Sequence, residues 1–180
     1  MITKNFKARV ATLLQLSSLT STSKGLLSVK DTGGTTRYIS CYTGNSFPNS
    51  LTYSVAFSSS SSGIQVGTGS TAATEGDYKL EAQITSGMSA SSPTQTCGVD
   101  SSGNPYLEYL FTLTNNTSSD IVVQEIGYVQ QLRIADTQGG SASNSRYFLF
   151  DRTVLDTPVT VPANDSAAIK YRLKTVLASS

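Results

Sequence analysis

Histidine is absent from the chain, and that removes much familiar chemistry at once. A Ser-His-Asp or Cys-His triad and any histidine-containing metal site are excluded. Carboxylates, two cysteines, one glycine-rich turn and an arginine beside acids remain. Asp77 and Glu81 sit four apart, which on a strand puts both on one face. A carboxylate pair held at the right separation is what glycoside hydrolysis requires. Glu108 and Glu125 form a second such pair if their segments lie side by side. Tyr78 and Leu80 between the first two are ordinary strand residues, so surface carboxylates are the expected reading of both pairs. Asp77, Asp100, Asp136, Asp151, Asp156 and Asp165 offer oxygen ligands for calcium, but no spacing matches an EF-hand loop. Gly67-Thr68-Gly69-Ser70-Thr71 invites a phosphate-loop reading. It lacks the Gly-Lys-Ser/Thr ending and no helical pattern follows, so a tight turn with glycine at positive φ is expected instead. Asp151-Arg152 reads as a structural ion pair or hydrogen-bonding hub. No catalytic residue, cofactor or metal site is expected.

The remaining side chains narrow the classes further. Cys41 and Cys97 are far apart and allow one disulfide, but the expected reading is two free thiols packed as small apolar groups. The nine tyrosines and the many Ser and Thr residues suit a carbohydrate-binding face by stacking and hydroxyl hydrogen bonds. Tryptophan, a frequent sugar platform, is absent. With 13 Lys and Arg against 12 Asp and Glu the net charge is +1, which argues against a nucleic-acid groove and a membrane-surface patch. No apolar run is long enough for a membrane span, and the first residues lack the unbroken apolar stretch of a signal peptide. Cytoplasmic synthesis without a cleaved leader is expected. Asn115-Asn116-Thr117 and Asn116-Thr117-Ser118 match the glycosylation pattern but read as a polar turn.

These residues must be positioned by something, and the chain of 180 residues suits one main domain. Two parts are expected: an N-terminal helix and linker over 1–23, and a β-domain over 24–180. Residues 3–16 carry Phe6, Val10, Leu13 and Leu14 at helical spacing, with Thr3 as the cap. That apolar face is the candidate partner-docking element, with Lys4, Lys7 and Arg9 as a basic margin. The alternative is that the helix covers its own domain. From Gly25 onward the period is two. Strands are expected over Thr35–Thr43, Leu51–Phe57, Tyr78–Ile84, Tyr106–Thr114, Ile121–Val129, Tyr147–Phe150 and Ala167–Val176. Residues 86–105 read as a long loop with a turn at Asp100–Asn104, and the serine run 58–62 as a flexible tip. Tyr106–Thr114 and Ile121–Val129 read as a β-hairpin. Ile121–Val129 is apolar on both faces, as expected for a strand buried between two layers. Pro158 and Pro162 flank an extended edge piece. The expected fold is all-β: an antiparallel β-sandwich, jelly-roll or Ig-like, with one short N-terminal helix. A barrel is the runner-up.

Three segments, Ile64–Leu80 (IQVGTGSTAATEGDYKL), Tyr106–Tyr128 and Leu149–Pro162 (LFDRTVLDTPVTVP), resemble in order and wording small β-sandwich virion structural proteins of tailed bacteriophages. The resemblance spans roughly residues 24–176. It implies a non-enzymatic particle component of the fibre, collar, neck or capsid-decoration type, located in the virion. It implies homo-oligomers and contacts with other virion proteins, namely capsid, portal or neck and tail components. It brings no catalytic set. Heptads, collagen-like repeats and an extended shaft are missing, which favours a compact neck, collar or tail adaptor or a decoration subunit. Recognition of a host surface glycan by a phage-fibre module is the alternative, and a carbohydrate hydrolase is the third reading.

Overall fold

The computed structural model describes residues 1–7, 26–40, 54–134 and 144–174. Nine strands are seen among them: β1 (Leu26–Lys30), β2 (Thr36–Ser40), β3 (Gly63–Gly67), β4 (Met88–Ala90), β5 (Thr94–Val99), β6 (Pro105–Asn115), β7 (Ile121–Ile134), β8 (Asn144–Val161) and β9 (Ser166–Lys174). All strand pairings between them are antiparallel. One sheet runs β3-β7-β8. In the second, β6 is central, with β4 and β5 along one side and β9 along the other. β1 and β2 form a separate ribbon. The expected all-β class is what the chain adopts, in a sandwich-like arrangement.

The period-two pattern explains why. In β6 Tyr109, Phe111 and Leu113 are buried while Leu110 and Thr112 are exposed. In β9 Ile169 and Tyr171 point inward and Lys170, Arg172 and Lys174 lie outward. From the other sheet come Ile64 and Val66 of β3, Ile126 and Tyr128 of β7, and Phe148 and Phe150 of β8. Tyr109 stacks on its neighbour Tyr171 at 6.5 Å and on Tyr128 of the facing sheet at 6.0 Å. One apolar layer between two sheets is the arrangement that buries one face of each.

Several local expectations are corrected. Tyr106–Thr114 and Ile121–Val129 are not a hairpin: β6 and β7 are consecutive but belong to different sheets. The 115–120 connection crosses between layers, fastened by Asn115, whose amide donates to Ser119 O at 2.7 Å and Val161 O at 3.0 Å. Residues 78–82 form no strand, and only an isolated bridge joins Gln83 to Gly67. The segment 86–105 is not a loop throughout, because β4 and β5 both pair with β6. Small polar residues carry no hydrophobic period there, yet the β6 backbone templates them. The Asp100–Asn104 turn is present, with Gly103 at φ 79°. Tyr147–Phe150 is part of an 18-residue strand. Register slips between Val123 and Glu125, so β8 residues 155–158 form a bulge without partners on β7. Pro158 sits in that bulge on the outer strand, where a missing N–H costs no ladder bond.

At the N-terminus a helical turn covers 4–7; the rest of the expected helix, 8–16, lies outside the described residues. Lys7 N–H donates to Thr3 O at 3.2 Å, so Thr3 stands at the start. Its hydroxyl does not cap, however: it donates to Leu149 O at 2.6 Å. The serine run is tied down by Gln65, whose amide donates to Ser58 O and Ser61 O.

Candidate functional site: a buried arginine clamp

Glu125 lies in the middle of β7 with 0% exposure. An ionised carboxylate buried so deeply requires both a counter-charge and hydrogen-bond donors. Arg152 of β8 supplies the charge. It sits opposite Gly127 in register and is 3% exposed. Its Nε donates to Glu125 Oε2 at 2.7 Å. Three backbone amides from residues 68–82 complete the shell. Gly69 N (3.3 Å) and Ala82 N (2.8 Å) donate to Oε1, and Glu81 N (3.1 Å) donates to Oε2.

The far side of the guanidinium gathers the same loop. Nη1 donates to Asp77 Oδ2 at 2.8 Å. Nη2 donates to Thr71 O at 3.0 Å and to Glu81 Oε2 at 3.3 Å. Residues 68–82 are thereby drawn over the outer face of the β3-β7-β8 sheet. Leu80 packs there on Val129 and Leu149. This is why Ile121–Val129 is apolar on both faces: its second layer is a loop rather than a sheet.

Glycines make the fit possible. A Cβ on Gly67 would lie 2.5 Å from Glu125 Oε1 and 2.6 Å from Ala82 O. One on Gly69 would lie 2.6 Å from the same Oε1 and 2.6 Å from Glu81 Cβ. A Cβ on Gly127 would meet Leu80 at 2.7 Å. The Gly-Thr-Gly motif therefore serves close approach to a buried carboxylate. The positive φ expected there is not found, since neither Gly67 nor Gly69 has one.

A second hub lies next to the first. Asp151 accepts from Tyr171 Oη at 2.5 Å and Thr153 Oγ1 at 3.0 Å, and pairs with the α-ammonium of Met1 at 3.1 Å. Residues 1–3 run beside β8, with Thr3 N donating to Phe150 O at 3.0 Å and Arg152 N to Met1 O at 3.1 Å. Asn5 bridges Lys30 and Leu149. Lys7 and the Lys4 amide hold Glu75, so the N-terminal segment grips the same loop from above.

The protonation behaviour follows from these contacts. Burial pushes the Asp77 carboxyl up, but the Thr74 amide and Arg152 outweigh it and hold it below its usual range. Glu81 is lowered first by the Thr71 hydroxyl and amide, with Arg152 adding to them. Burial works against the charge on Arg152, yet its hydrogen bonds to Asp77 and Glu125 prevail and raise its pKa. Burial, then the Asp151 charge, pushes the Tyr171 hydroxyl well above its ordinary 10.0. Carboxylates saturated by donors in this way are poor bases. The arrangement fastens a loop.

Asp77, Glu81 and Arg152 thus converge, while Asp151 pairs with Met1 and Tyr171 instead, so the Asp151-Arg152 dipeptide marks two adjoining hubs rather than one ion pair. The two supposed hydrolytic pairs dissolve. Asp77 and Glu81 share one arginine from a loop, while Glu108 and Glu125 lie in different sheets. Glu108 instead pairs with Arg172 at 2.5 Å, which stacks over Tyr106 at 4.2 Å. Asp100 accepts from Ser102 N and Asn104 N and pairs with Lys174. Among the described residues no group of three or more His, Cys, Asp or Glu is placed to hold a metal ion; Asp136 lies outside them. Cys97 is a free thiol and exposed, not packed as expected; Cys41 is outside the described residues. Of the docking face, Phe6 packs edge-on against Phe150 of its own sheet at 5.7 Å, and Val10, Leu13 and Leu14 lie outside the described residues. Among the described residues no helix is long and apolar enough to cross a membrane.

The pairing of Glu125 escaped the sequence reading. Its signal was present: a lone acid within Ile121–Val129, a run otherwise apolar on both faces, demands a buried cation. No family model, curated protein or solved structure matches the chain.

Proposed function

We propose that the protein is a non-enzymatic structural subunit of a tailed-bacteriophage particle, an oligomeric neck, collar or tail adaptor or a capsid-decoration subunit. The observation that carries the reading is the clamp. The acids best placed for chemistry, Asp77, Glu81 and Glu125, are all committed to Arg152 and to backbone amides. That is an investment in a rigid surface, which assembly needs and turnover does not. The three-segment resemblance described above supplies the particle. Quantitative mass spectrometry of gradient-purified virions of the encoding phage tests it. Copies comparable to the major capsid protein mean decoration, and a small ring's worth means a neck, collar or tail position. Absence from the particle overturns the reading.

Host-glycan recognition, the second reading, is favoured by one local feature. An open depression of about 260 Å³ is lined by Asp31, Ser59, Ser60, Arg146 and Tyr147, among others. A ring beside hydroxyls and a guanidinium is suited to a sugar. Tyr109, Tyr128 and Tyr171 are buried and offer no platform. Glycan-array binding that Tyr147→Ala abolishes is the result expected of this reading, and an array without signal removes it.

A further inference from the structure

The outer edges of the two main sheets are treated unequally. The β3 edge is covered by Val55 and Gln83, with Ala56 N donating to Ile64 O at 2.7 Å and Ile84 N to Val66 O at 2.9 Å. The β8 edge is covered by residues 1–3 and broken by its bulge and Pro158. The β9 edge carries the exposed cations Lys170, Arg172 and Lys174. Covering, bulges, proline and charge are the usual means of preventing edge-to-edge pairing. Among the described residues β5 has none of them. Its sequence, TQTCGV, holds no charge and no proline, and among the described residues it pairs with β6 alone. Thr94, Gln95, Thr96, Cys97 and Val99 are all exposed. Gln95 and Cys97 stand opposite Tyr109 and Leu107 and so share the core-side face, yet they are bare. Val99 is 66% exposed.

The ladder fixes which backbone groups are open. Asp100 N–H donates to Asn104 O at 2.9 Å, making that a hydrogen-bonded pair. Antiparallel alternation along the register then bonds Gly98 to Tyr106, Thr96 to Glu108 and Thr94 to Leu110. The N–H and C=O groups of Gln95, Cys97 and Val99 face outward. Pro105, which has no N–H, stands opposite Val99, as this phase requires. A second β5 can satisfy all three outward residues in one antiparallel register: Gln95 opposite Val99, Cys97 opposite Cys97 and Val99 opposite Gln95. Any other two-fold register leaves at least one unpaired.

We propose that β5 is the docking edge for a second copy of this chain, joined antiparallel about a two-fold axis at Cys97. The strand is self-complementary: uncharged throughout, it opposes no like charges, and the pairing covers Val99 on both copies. The proposal deepens the oligomeric part of the function above by naming its contact. The two fail separately: a monomer in solution removes this contact without touching the virion assignment, and absence from particles does the reverse.

Sedimentation equilibrium of the full chain under reducing conditions, from micromolar to millimolar protein, is the test. The expected result is a concentration-dependent dimer or a higher even-numbered assembly. Cys97→Lys sets two like charges face to face on the axis, and Gln95→Pro removes an outward N–H while leaving the β6 ladder intact. Both are expected to dissociate the assembly while leaving the melting temperature of the dilute monomer unchanged. Hydrogen-bonded partners have Cα atoms about 5.5 Å apart, within disulfide range. The Cys41→Ser chain is therefore expected to cross-link through Cys97 under copper phenanthroline in air, and the Cys97→Ser chain not to form that bond. A monomer at every concentration, an odd-numbered oligomer, a dimer that survives both substitutions, or a Cys97 that fails to cross-link overturns the proposal.

Discussion

The cover over the outer face of the β3-β7-β8 sheet and the β5 strand are made from similar sequence, short polar stretches containing Gly and Thr. One is sewn shut and the other is left open. Over the first sheet, residues 68–82 give their amides to Glu125 and their carboxylates to Arg152. Residues 1–7 lock the loop from the other side. On the side of β5 away from β6, Gln95, Cys97 and Val99 have neither a covering layer nor a second strand among the described residues. A polar segment becomes part of a core only where a buried charge calls for its amides. Where none does, it remains surface, and its backbone becomes the available adhesive.

The sharpest way to break this comparison is Arg152→Met. It leaves Glu125 buried without a counter-charge, and the expected loss is about 3–5 kcal/mol in urea unfolding. Adding Glu125→Gln is expected to recover part of it. A loss below about 1 kcal/mol, typical of an exposed pair, would mean that the clamp is no more than a surface contact. Next in size is Gly69→Ala. Its Cβ would lie 2.6 Å from Glu125 Oε1 and Glu81 Cβ, and overpacking of this kind costs roughly 1–3 kcal/mol. Calorimetry that shows no shift would mean that the loop gives way freely.

Acid probes the same contrast more gently. Asp77 and Glu81 have folded pKa values below their ordinary ones of 3.8 and 4.5. Their stabilisation is therefore present above about pH 4.5 and is lost as pH falls through the lowered values. Asp100 is lowered to about 2 by Lys174, with the Asn104 amide assisting, so the β5–β6 turn holds its share further into acid. The melting temperature is expected to fall below about pH 4.5, and Asp100→Asn to flatten the lower end of that fall. Smallest of all is Val99→Lys. At 66% exposure it is expected to change monomer stability by less than about 0.5 kcal/mol while weakening self-association. A large loss of stability would show that β5 is packed after all.

The period-two segments that became β6, β7 and β9 were legible because each alternates between core and solvent. The hub at Asp151-Arg152 was legible from an arginine set among acids. The partner of β6 was not, because a five-residue connection fits a hairpin and a layer crossing equally well. The strand pairing decides between them: β6 bonds to β4, β5 and β9, and β7 to β3 and β8. β4 and β5 were missed since their pairing is templated by the β6 backbone, which composition does not record. The roles of Gly67 and Gly69 depended on an acid some 56 residues away from Gly69.

The seat of residues 1–3 carries a consequence for synthesis. Thr3 binds Leu149 across a separation of 146 residues, so residues 1–3 leave the ribosome long before the strand that receives them exists. At about 5–20 residues per second the wait is roughly 7 to 30 s. During that time residues 1–3 have no strand to pair with, and this edge of β8 is covered only once Leu149, Phe150 and Arg152 have emerged.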